Sequence, residues 1–139
     1  MQKEKHNYLN IFIILFIVSL ALLVYLIFSL PVESKVFEVK FIVGENIGVD
    51  TNNSAIVFGR VVPGSVSTRK IFIDNKYDFP IVVKSLPSKN IENFLRVNPD
   101  FALNAGRNYS LPVELVISDN VSLGEYRGTL TVRIFKNRR

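Results

Sequence analysis

The sequence predicts an all-β domain, a seven-stranded antiparallel sandwich, preceded by one long apolar α-helix. Three observations lead there. Residues 11–30 form an uncharged, almost wholly apolar run. Beyond Pro31 the hydrophobic pattern changes from continuous to alternating, the period-2 mark of strands with one face in a core. These alternating runs are short and divided by turn residues, the spacing expected of a sandwich. The chain has 139 residues. Without its first 30 it still holds one ordinary domain, large enough to need neither disulfides nor metals for a core.

The helix comes first in the chain. From Ile11 to Leu30 the only polar side chains are Ser19, Tyr25 and Ser29. Twenty helical residues at 1.5 Å each reach about 30 Å, the thickness of a bilayer's hydrocarbon core. A soluble helix of that length would carry a polar stripe, and this one has none. Tyr8 stands at one margin, where an amphipathic ring favours the headgroup level. Pro31 stands at the other and cannot continue the hydrogen-bond ladder. These features predict a transmembrane helix over 9–30. Around it they place a short cytoplasmic flank at 1–8, a linker at 31–34, the sandwich at 35–136 and a basic tail at 137–139. The alternative is a cleaved signal peptide. Signal cores run about 7–15 residues before a small-residue cut site. This run is longer and no Ala-x-Ala follows it, which leaves Val32 and Ser34 as a permissive pair for cleavage after Ser34.

Lys3 and Lys5 before the span balance Lys35 and Lys40 after it, so the positive-inside count is a tie. The terminal amine on the short flank, and Glu33, Glu38 and Glu45 downstream, break it. The expectation is a single-pass cell-membrane protein with its N-terminus in the cytoplasm and its domain outside. Asn52, Asn108 and Asn120 each open an Asn-x-Ser sequon, and they are the expected glycosylation positions of an exported domain.

The strands follow in order. Lys35–Val43 places Phe37, Val39, Phe41 and Val43 on one face. Runs at 56–62, 66–74, 81–86 and 94–97 are less regular. Tyr109, Leu111, Val113, Leu115 and Ile117 alternate with Ser110, Pro112, Glu114, Val116 and Ser118, and Tyr126, Leu130, Val132 and Ile134 alternate with Arg127, Thr129, Thr131, Arg133 and Phe135. Turn signals fall between them, including one long turn over 98–108. Pro63-Gly64 suits a type II turn, whose third residue needs positive φ. Asn75 closes its strand with an amide able to satisfy turn backbone, and Pro80 leads the next strand. Gly124 permits tight entry to the last strand. Tyr126 is expected to send its hydroxyl to backbone as in a tyrosine corner. Gly128, on an inward position, implies close approach of another strand or of Tyr126 itself.

The run FGRVVPGSVSTRKIFIDNKYDFPIVV, Phe58–Val83, together with LGEYRGTLTV, Leu123–Val132, resembles immunoglobulin-like domains of the PapD/major-sperm-protein kind, including abnormal-spindle/hydin-type repeats. The resemblance covers about Ile56 to Phe135 and rests on turns and core positions. It implies an immunoglobulin-like sandwich acting as an adhesive, scaffolding or chaperone-like binding module. Two features depart from the membrane-tethered sperm-protein group. The apolar segment is N-terminal here, and the basic peptide-binding pocket has no counterpart.

Charge and composition narrow the function further. The net charge is +5, but Lys136, Arg138 and Arg139 supply much of it, leaving a nearly neutral body. A nucleic-acid partner would call for a basic face, and none is expected. The single histidine, His6, precedes the span, which removes Ser-His-Asp hydrolysis and histidine zinc sites. Cysteine is absent and no phosphate-cradling glycine loop occurs. Asp50-Thr51-Asn52-Asn53 offers one acid where a calcium loop needs several. No catalytic residue, metal or cofactor is therefore expected, and the chain reads as no enzyme. It reads as a module for protein–protein interaction or scaffolding at the cell envelope, its partners the bilayer and another envelope or membrane protein. A subunit of an archaellum- or pilus-like or secretion assembly is the alternative. A carbohydrate-binding domain is disfavoured by the lack of tryptophan. Phe72, Val116, Phe135, Arg127 and Arg133 fall on outward positions as the candidate partner surface, with sheet edges expected at Lys35–Val43 and at the basic last strand. The oligomeric state has no sequence signature here.

Overall fold

In the computed structural model the backbone is described for residues 2–45 and 55–138, and side chains from residue 11 onward except at 28 and 55. The chain divides into two compact units, Met1–Leu30 and Pro31–Arg139. The first is a single helix, α1 (Gln2–Ser29), which begins inside the segment expected as a flank. Along 11–27 its large apolar side chains are all solvent-exposed, from 44% at Val24 to 69% at Phe12. Among the described residues no helix is long and apolar enough to cross a membrane.

The second unit is all β. Its strands are β1 (Glu33–Val43), β2 (Ala55–Val61), β3 (Val66–Asp74), β4 (Ile81–Pro87), β5 (Leu95–Val97), β6 (Asp100–Leu103), β7 (Asn108–Val116) and β8 (Gly124–Lys136). They form a five-stranded sheet, β2-β1-β8-β4-β6, and a three-stranded sheet, β3-β7-β5. β1 starts at Glu33, within the expected linker. Two sequence expectations need correction. Eight strands are described rather than seven, because Asp100–Leu103, expected as turn, pairs with β4 from Ile81↔Leu103 to Lys84↔Asp100. Four residues carry too little alternation to be read as a strand. The sandwich is also not wholly antiparallel, since β1 and β2 run parallel with a register shift between Lys40 and Phe41. Periodicity fixes which face a residue takes and says nothing of strand direction.

The core is built from the inward set of each strand. Val39, Phe41, Ile81, Val83, Leu111, Val113, Leu115 and Leu130 are fully buried. At one end Phe41 stacks on Tyr126 (centroids 5.1 Å, planes 5° apart), and Phe94 meets both rings edge-on at 5.5 and 5.2 Å. Offset and edge-on contacts suit the ring quadrupoles and add to the burial of their area. The Tyr126 ring is half-buried and its hydroxyl donates to the Ser122 carbonyl at 2.9 Å, so the aromatic cluster also fixes the entry to β8. β8 begins at Gly124, which pairs with Val43.

Three devices connect the layers. Between β2 and β3, Val62-Pro63-Gly64-Ser65 makes a turn closed by Ser65 N–H donating to Val62 O at 3.2 Å. Gly64 takes φ 75°, the positive value that a type II turn requires at its third position. At the end of β3 lies Asn75, the only fully buried polar side chain besides the nearly buried Ser85 among the described residues. Its Nδ2 donates to the carbonyls of Phe79, Leu103 and Asn104 at 2.9–3.1 Å, while its Oδ1 accepts from Tyr77 N–H. One side chain thereby ties the β3–β4 corner to the β6–β7 turn. Pro80 stands just before β4, and its carbonyl accepts from Asn137 N–H at 2.8 Å.

The third device carries the chain from one sheet to the other. After Pro87 it leaves the β4–β8 ladder and crosses β8 as a turn over 88–94 before entering β5. Ser88 N–H donates to Thr129 O, Thr129 N–H donates to Ser88 Oγ, and Asn90 Nδ2 donates to Arg127 O. Ile91, fully buried, sits over Gly128, where an added Cβ would lie 2.6 Å from Ile91 Cγ1. The close approach expected at Gly128 thus comes from this turn, not from a strand or from Tyr126.

Candidate partner-binding surface

The registers assign every outward side chain to one of two opposite faces. On the three-stranded sheet, β3 and β7 pair Val66↔Val116, Lys70↔Pro112, Phe72↔Ser110 and Asp74↔Asn108, and β5 adds Arg96 opposite Glu114. Phe72 is 83% exposed, beyond any other large apolar residue described, and Val116 is half-buried beside the exposed Val66.

On the five-stranded sheet, β8 presents Arg127, Arg133 and Phe135 outward, opposite Lys40, Lys84 and Val82 respectively. The Lys84 ammonium lies 5.5 Å from the centre of the half-buried Phe135 ring, a cation–π distance. Glu125 Oε1 is held by Arg127 Nε at 2.6 Å and by Lys40 Nζ at 3.2 Å. Hydrogen bonds from Arg127, then from Lys40, hold the Glu125 carboxyl below its ordinary range. Glu125 in turn raises Arg127. Val36, Thr131 and Leu86 form a row across three strands of this face, with Val36 and Leu86 exposed.

The five residues expected as one surface therefore separate. Phe72 and Val116 lie on one face of the sandwich; Arg127, Arg133 and Phe135 lie on the other. The expected edges are also corrected: β1 lies between β2 and β8, and β8 lies between β1 and β4, so neither is free to add a strand. The strands with one described neighbour are β2 and β6 in the larger sheet and β3 and β5 in the smaller. Long alternating runs are the easiest strands to read, and here they are the central ones. Val36 was legible as an outward position, since it precedes the inward Phe37, whereas Leu86 was not, because the structure buries Ser85 and exposes the leucine beside it.

The end of the domain where β1 begins carries a second aromatic group. Tyr77 stacks on Phe79 at 5.0 Å, and Lys136 Nζ stands 4.4 Å over the Phe79 ring. The Tyr77 hydroxyl donates to Glu33 at 3.3 Å, and burial, then the Glu33 charge, raises its pKa. Asn108 and Asn120 are exposed, at the start of β7 and in the turn before β8. Asn52 and the Asp50–Asn53 run lie outside the described residues, as does the side chain of His6. Among the described residues no three His, Cys, Asp or Glu side chains gather as a metal-holding set.

No protein-family model matches the chain, and no curated protein matches it. Among solved structures it is similar to the DraE adhesin in complex with chloramphenicol succinate, at 14% identity and a TM-score of 0.37, covering 76% of this chain and 97% of that one.

Proposed function

We propose that the chain is a single-pass, membrane-anchored, extracytoplasmic module of immunoglobulin-like type that holds a neighbouring envelope or membrane protein beside the bilayer. The observation that carries this reading is the unrelieved apolar surface of α1. Side chains at 11–27 expose hydrocarbon on every side of the helix, and no polar stripe marks a face for water. The helical backbone runs 28 residues, about 42 Å at 1.5 Å each, and takes in the apolar run from Ile11 to Ser29. Leu30, Pro31 and Val32 separate α1 from β1 along the chain.

The immunoglobulin-like assignment is supported by layout. In that sandwich seven strands, A to G, divide into sheets ABED and CFG, with a tyrosine corner near the start of F. β3, β7 and β5 match B, E and D; β4 and β8 match C and F, and Tyr126 with its bond to Ser122 lies at the start of β8. β1, the first strand of the chain, then occupies the place beside F that G would fill, antiparallel to β8 over eleven residues. The domain is completed from its N-terminal side. A binding rather than catalytic role fits the absence of histidine and cysteine from residues 31–139.

Washing membranes of expressing cells at high pH with carbonate, and treating intact cells with protease, tests the placement. The expected result is a chain that stays in the pellet and a domain digested from outside. Release into the wash, or a domain cut only after the membrane is broken, overturns it.

A further inference from the structure

We propose that β3 is a self-pairing edge, through which two copies of this chain join their three-stranded sheets into one six-stranded sheet. Among the described residues β3 pairs only with β7 and no strand lies along its other edge, which makes that edge a template for another strand. Where β3 leaves the turn from β2, Arg69 Nε donates to Val57 O at 3.2 Å and closes the corner with β2. Beyond Arg69 the edge reads Lys70-Ile71-Phe72-Ile73-Asp74, and this segment is the joining surface. Phe72, 83% exposed, is its centre.

The occupant is fixed by charge and symmetry. Two antiparallel edges of identical strands are related by a two-fold axis normal to the sheet, which keeps both outer faces on one side. Residues facing each other must then share a face, so only registers that slide by whole pairs are allowed. Centred on Phe72, the pairing sets Phe72 against Phe72, Lys70 against Asp74, and Asp74 against Lys70 of the second copy. The buried Ile71 and Ile73 face each other on the core side. Centred on Lys70 it sets two ammonium groups together; centred on Ile73 it sets Lys70 against Lys76. Centred on Ile71 it faces Phe72 with Lys70 and Asp74 with Thr68, forming no ion pair. Opposite charges directly across a strand pair stabilise it and like charges destabilise it. The segment is thus complementary to itself in the register that also brings its most exposed apolar side chain against its twin.

This inference deepens the reading of the domain as a protein-binding module by naming one partner, and it fails separately, since it holds whether or not α1 lies in lipid. Sedimentation of the full chain in mild detergent across a range of concentrations reads the dimer. The expected result is that Lys70→Asp and Asp74→Lys each weaken dimerisation about tenfold or more, by replacing two attractive pairs with two repulsive ones. The double variant Lys70→Asp/Asp74→Lys restores it, and an equimolar mixture of the two single variants forms a heterodimer that neither makes alone. Circular dichroism of each variant confirms the fold, since all these side chains are exposed. A wild type that stays monomeric, a dimer indifferent to both single changes, or single losses that the double variant does not recover overturns the proposal.

Discussion

Gly128 and Ile91 occupy one space: a Cβ on Gly128 would fall 2.6 Å from Ile91 Cγ1, 2.7 Å from Ile91 Cδ1 and 2.7 Å from Ser88 Oγ. The chain crosses from one sheet to the other at this point, and the missing side chain on β8 lets the 88–94 turn lie flat upon it. Gly128→Ala is therefore expected to destabilise the domain by about 1–3 kcal/mol, the range for overpacking a filled core. Urea denaturation of the full chain in detergent reads the loss. Ile91→Ala removes both crowding carbons, so the same change made in that background should cost at least about 1 kcal/mol less. Equal costs in the two backgrounds would show that Ile91 is not what the alanine strikes.

Asn75 gives a second expectation. Its amide group has two hydrogens for three carbonyls, those of Phe79, Leu103 and Asn104, so one hydrogen is shared. Asn75→Ala leaves buried carbonyls without that donor and should cost about 2–4 kcal/mol. Asn75→Asp should cost more at neutral pH, because a carboxylate has no hydrogen to give and faces three oxygens. Burial and those oxygens favour the protonated acid, raising its folded pKa above the unfolded value. The aspartate variant is then at its best below the unfolded pKa, and loses stability as pH rises through the folded one. Denaturation midpoints at pH 4 and pH 7 check this. An Asp variant that gains on the Ala variant as pH rises contradicts it.

Much of this fold was legible because alternation is a local property. Lys35–Val43 shows its alternation throughout, and Phe41, Val113 and Leu130 declare their inward face by position alone. Tyr126 was legible for a chemical reason, since a tyrosine beside a turn at a strand start has a ring to bury and a hydroxyl to satisfy. Two things were not legible. Asp100–Leu103 is too short to carry a period, and it becomes a strand because β4 offers it partners. The order of strands in a sheet is set by long-range pairing, so nothing within Lys35–Val43 reveals that β1 lies between β2 and β8. The candidate surface suffered most from this. Phe72 and Phe135 look equivalent as outward aromatics, yet one stands on an open-edged strand and the other faces Val82 in the middle of the larger sheet.

The pH response of that larger face rests on Glu125. Arg127 and Lys40 hydrogen-bond its carboxylate, which lowers its folded pKa from the ordinary 4.5. A group with a lowered folded pKa contributes stability that is fully present above the unfolded value and is lost as pH falls through the folded one. The contribution is small, because the pair is solvent-exposed and screened. It is better read at the residue than in global unfolding. In a carbon-detected NMR titration the Glu125 carboxyl should titrate below the ordinary 4.5. Arg127→Gln removes the strongest of its partners and should move that midpoint upward toward the ordinary value. Lys40→Gln should move it less, since Arg127 is the larger cause. A midpoint that does not respond to Arg127→Gln would mean that the bond to Arg127 is not what holds this carboxylate ionised on the outer face of β8.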